Sequence, residues 1–119
     1  METLELINEA LCAIHSEVHY GTAVKHPPAS PWNYTVFWRD STRPGQNLTG
    51  GVDRYGVAVV RESYVPESEL GAVVAAMEAI PGVRLDTSAS VEYAYDVKPG
   101  GSDVVEMMTV RFTRGRKRG

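Results

Sequence analysis

The chain has 119 residues, 43% of them apolar and 23% charged, which suits a single domain with a core of its own and excludes wholesale disorder. No run approaches the roughly 18 apolar residues of a membrane-spanning helix. The opening METLELINEAL places acids where a signal peptide needs basic residues. The single Cys12 has no internal disulfide partner and fits a reducing compartment, so the sequon Asn47-Leu48-Thr49 reads only as a turn-like string. The net charge of −3 hides an asymmetry, because residues 1–113 carry −7 and the last six, RGRKRG, carry +4. A basic tail on an acidic body can contact nucleic acid, an acidic neighbour or an adjacent subunit. A frayed, solvated terminus has the same composition.

Leu4, Ile7, Leu11, Ile14 and Val18 recur at three- and four-residue steps, which predicts a first helix from Thr3, as N-cap, to His19. Three prolines in Lys25-His26-Pro27-Pro28-Ala29-Ser30-Pro31 forbid helix there. A first strand follows over Trp32–Arg39, with Tyr34, Val36 and Trp38 on one face and Thr35, Phe37 and Arg39 on the other. Aromatics on both faces imply cover on both sides, and a partner subunit is one source of the second cover. Asp40–Gly51 reads as a polar connection, too long for an ordinary hairpin unless it has a task.

A second strand is predicted from Val52 to Glu62 by the alternation of Tyr55, Val57 and Val59. Val65-Pro66 opens a second helix, whose stripe is Leu70, Val73, Val74, Met77 and Ile80 and whose stop is Pro81-Gly82. Val91, Tyr93, Tyr95 and Val97 alternate with Glu92, Ala94 and Asp96, so this face is expected to be core. Lys98–Ser102 makes a hairpin loop, and the return strand runs from Val104 to Arg114. The order α-β-β-α-β-β predicts an α+β fold over residues 1–119: a mostly antiparallel four-stranded sheet with two helices packed on one face.

Reactive constellations are weak. On a helix, Cys12, His15 and His19 share a face, with His26 a conceivable fourth metal ligand. The glutamate in His15-Ser16-Glu17-Val18-His19 stands one place late for a zinc-protease motif, and Cys12 beside the apolar stripe reads as a small core filler. Ser63, Ser68, Ser88 and Ser90 have no neighbouring base in sequence, and neither Thr49-Gly50-Gly51 nor Lys98-Pro99-Gly100-Gly101 has phosphate-loop spacing. No enzyme, metal or cofactor is therefore expected. Arg111, Arg114, Arg116, Lys117 and Arg118 form a basic run that would favour nucleic-acid phosphates, which leaves a small nucleic-acid-binding module as an alternative from another class.

The chain resembles the tail terminator and tail-completion (neck) proteins of long-tailed bacteriophages. The resemblance lies in the element order and chain length, in His26-Pro27-Pro28-Ala29-Ser30-Pro31-Trp32-Asn33-Tyr34-Thr35-Val36, in the helix Leu70–Ile80 before Pro-Gly-Val, and in the closing Val110-Arg111-Phe112-Thr113-Arg114. It implies a non-enzymatic virion protein, assembled in the bacterial cytoplasm as a ring of six. Such a ring would cap the tail-tube protein, meet the head connector or stopper protein, and let DNA through its lumen without specific binding; no membrane is involved. A head–tail adaptor or connector stopper is the alternative within the class. On this reading the interface residues are Arg39, Arg43, Gln46 and Asn47 around the long connection, with Arg111, Arg114, Arg116, Lys117 and Arg118 at the end of the chain.

Overall fold

Two twelve-residue strands rich in β-branched and apolar residues pair with each other at the centre of the molecule. The computed structural model describes residues 2–21, 32–44 and 51–115. In chain order the elements are α1 (Thr3–Cys12), β1 (Val18–Tyr20), β2 (Tyr34–Pro44), β3 (Gly51–Glu62), α2 (Glu67–Glu78), β4 (Val83–Leu85), β5 (Glu92–Val97) and β6 (Val104–Gly115). They form one sheet of six strands in the order β1-β2-β3-β6-β4, with β5 also paired to β6. The α+β class holds, but the sheet has six strands rather than four, and β1 runs parallel to β2.

Residues directly opposite one another in a ladder share a face. The register Phe37↔Val57↔Val110 and Tyr55↔Phe112 therefore builds one apolar face across β2, β3 and β6. Against it lie Ile7 and Leu11 of α1 and Val73 and Met77 of α2, all four without exposed surface. Each such side chain contributes roughly 1.5–3 kcal/mol by leaving water. Glu67 and Glu69 occupy the first turn of α2, where negative charge suits the helix dipole. Gly82, at φ 84°, takes the left-handed turn that sends the chain from α2 into β4.

Four expectations change. The first helix stops at Cys12, because the chain turns inward at His15 and Thr35 N–H bonds Glu17 O (3.0 Å), which starts the β1–β2 ladder; Val18 and His19 are strand, and Ile14 is 40% exposed. Thr3 is the first helical residue rather than the cap, a position that Glu2 takes. The supposed connection from Asp40 is strand as far as Pro44, bulged between Arg39 and Ser41 and paired with Gly51–Arg54. A short strand, Val83–Leu85, joins the edge of β6; three residues give too little alternation to reveal it in sequence.

Candidate interface surface

Among the described residues the helices cover one face of the sheet and leave the other, open face without a helix, although Ala58 and Val60 on it are no more than 5% exposed. Tyr34, Val36 and Trp38 share the open face with Ala58, Val60 and Met107, as the register requires. Neither helix packs there. These side chains lie low on the sheet instead, and Trp38 crosses Gly56 so closely that a Cβ at that position would overlap its indole ring. A shallow groove of about 260 Å³ runs along this face between Tyr34, Met107 and Ala94.

The strand β5 is the least sheltered element. All six of its residues are exposed, with Tyr95 67%, Val97 50% and Tyr93 48% accessible. The expectation that Tyr93 and Tyr95 face the core is overturned. Register places them on the helix side of the sheet, opposite Met108 and Glu106, but neither helix extends beneath them. Tyr95 donates its hydroxyl to the Glu106 carboxylate, and this bond raises the phenol pKa above 10.0. Glu106, itself buried, also accepts the Val65 N–H at 2.7 Å, so one carboxylate ties β6 to the entry of α2.

The arginines expected at an interface do not converge. Arg111 lies on the open face, bonded to Asp40 at 2.8 Å and near Glu92 at 3.6 Å. Arg114, three residues on, falls on the opposite face and reaches toward Pro81 O at 3.4 Å beside Gly82. Arg39 stands near Tyr55 and Thr42 on the helix side, whereas Arg43, by its register with Val52, is placed with the open face. Gln46, Asn47, Arg116, Lys117 and Arg118 lie outside the described residues.

The three thiol and imidazole groups separate as well. Cys12 is exposed rather than buried in the core. His19 pairs with Glu17 at 2.8 Å. His15 is buried, with Nδ1 2.8 Å from Thr35 Oγ1 and Nε2 2.7 Å from Glu69 Oε2, and Arg61 bonds the same carboxylate oxygen at 3.0 Å. Burial lowers the His15 pKa below 6.5, opposed by the Glu69 charge and assisted by Arg61. The neutral ring then donates from Nε2 to Glu69 and accepts the Thr35 hydroxyl at Nδ1.

Hydroxyl, imidazole and carboxylate in line is the order of a nucleophile relay. Thr35, however, has no exposed surface, so no substrate reaches its oxygen. The network serves as a staple joining the end of α1, the start of α2 and strands β2 and β3. Among the described residues no group of three or more His, Cys, Asp or Glu side chains is placed to hold a metal ion. No described helix is long and apolar enough to cross a membrane. The surface that stands out is therefore apolar and lies at the margin of the sheet. The chain matches no family model and no curated protein.

Proposed function

We propose that the chain is a structural virion protein of a long-tailed phage. On this reading it is a tail terminator whose copies form a ring, six by the resemblance, that caps the tail tube and meets the head connector. The observation that carries the reading is the sheet itself. Its helices cover one face only, and large apolar side chains stand exposed along its margin. Such surface is costly on an isolated subunit and useful on one that assembles with others. The acidic balance of residues 1–113 suits a lumen that passes DNA without gripping it.

The test is a capping assay with purified tail-tube protein. Tubes grown with this protein are expected to stop at limited lengths and to carry ring density at one end in negative stain. Tubes of unchanged length with bare ends would overturn the reading.

A further inference from the structure

Two margins of the sheet are unpaired among the described residues, and they lie on opposite sides. One is the outer edge of β1, the other the outer edge of β5. The Lys98 N–H bonds Asp103 O, so the ladder alternation turns the N–H groups of Tyr93, Tyr95 and Val97 away from β6; the Val97 N–H is taken by the Asp96 side chain. Both edges expose aromatics on the same, helix-covered side of the sheet. Tyr20 on β1 is 51% accessible and in register with Phe37; Tyr93 and Tyr95 answer it on β5. Beside Tyr20 a groove of about 400 Å³ opens between α1 and the sheet, and its rim carries Glu5, Asn8 and Glu9, acceptors for a phenol hydroxyl.

From this matching we infer that a second copy of this chain docks its β1 edge on the β5 edge, continuing the sheet from subunit to subunit. Strand direction allows it without inversion. Because β1 is parallel to β2 while β5 is antiparallel to β6, copies standing side by side in one orientation bring β5 against β1 as an antiparallel pair. Charge selects this joint over a symmetric one. Pairing β5 with itself would bring two copies of both Glu92 and Asp96 together, whereas β1 itself carries only His19, already balanced by Glu17 at 2.8 Å. With roughly 200 Å² for a buried aromatic, Tyr20, Tyr93 and Tyr95 together offer on the order of 300 Å² of exposed surface. That is a modest share of a standard interface, so backbone pairing must supply the rest. A joint between two different edges propagates head to tail and closes only as a ring.

The joint rests on the ring reading for closure, and it is tested apart from that reading by light scattering on the full chain. Tyr20→Lys and the double variant Y93K/Y95K each spoil one edge and leave the other intact. Each alone is expected to weaken self-association at least tenfold, with an unchanged far-UV spectrum showing that the fold survives. Mixed together, they are expected to give a one-to-one dimer and nothing larger, because only one good joint can form. If wild type assembles and both variants assemble equally well, the joint is overturned and the ring reading stands. Self-association of Tyr20→Lys alone would establish a symmetric β5 contact and overturn the joint. A wild-type chain that stays monomeric at every concentration overturns it too, and the capping assay then decides the ring reading independently.

Discussion

Strands β4 and β5 lie end to end along the same edge of β6, and they have opposite fates. Val83 of β4 has no exposed surface, whereas no residue of β5 is buried. The cause is what lies beneath. Helix α2 turns at Gly82 directly into β4 and so carries its cover with it, while every residue of β5 stands exposed. Alternation in β5 is as good as in β3, yet it marks only which side chains share a face. Whether that face meets a core or a partner depends on a second layer that alternation does not encode.

The comparison is sharpened most by Phe112→Ala, in the stretch of β6 beside β4. Phe112 is fully buried, and the substitution is expected to lower stability by about 3–5 kcal/mol in urea titration. Gly56→Ala comes next, at roughly 1–3 kcal/mol, because the new methyl must displace Trp38. A double-mutant cycle with Trp38→Ala should recover most of that loss, and failure to recover it would show that the indole is not what constrains Gly56.

His15→Leu leaves Glu69 and Thr35 without their ring partner and is expected to cost about 1–3 kcal/mol at neutral pH. It should also alter the pH profile. The His15 pKa lies below 6.5 in the fold, so between that folded value and 6.5 the unfolded chain holds a proton that the folded chain lacks. Stability therefore falls as pH drops through that window, and the variant should show a shallower fall in thermal midpoint. An identical slope would remove His15 from the pH response. The smallest effect is expected from Tyr93→Ala, within about 0.5 kcal/mol for the dilute subunit. A loss near that of Phe112→Ala would mean that β5 belongs to the core after all.

Neither half of this contrast could be anticipated from the chain, though much of the element order could. Strand β3, helix α2 and the β5–β6 hairpin fall where alternation, the Leu70–Ile80 stripe and the Pro-Gly signals place them. The misses have a common cause, since each depends on pairing remote in sequence. Ile14 and Val18 continue the helical spacing of α1, and no glycine or proline marks the break at Cys12. Only the ladder with Thr35–Phe37 makes Val18–Tyr20 a strand. Likewise Asp40–Pro44 has the composition of a loop and becomes strand because Gly51–Arg54 returns beside it. Closeness in sequence suggests one basic patch, but Arg111 and Arg114 are an odd number of residues apart in a strand and so point to opposite faces. The His15 staple leaves no local signal, because Thr35 and Glu69 come from distant segments.

The pairing of β3 with β6 also sets how the molecule reaches its fold. Val60 meets Met107 and Glu62 meets Val105, with everything from Ser63 to Asp103 looped between. The β5–β6 hairpin can form early, since its strands are adjacent in the chain. The core waits for that hairpin to dock on β3, a closure that carries α2 and β4 with it. Relaxation is expected to be paced by this one search rather than by helix formation. Substitutions at Val59 or Met108 should then slow refolding, while changes on the outer edge of β5 leave the rate untouched and act only after the subunit exists.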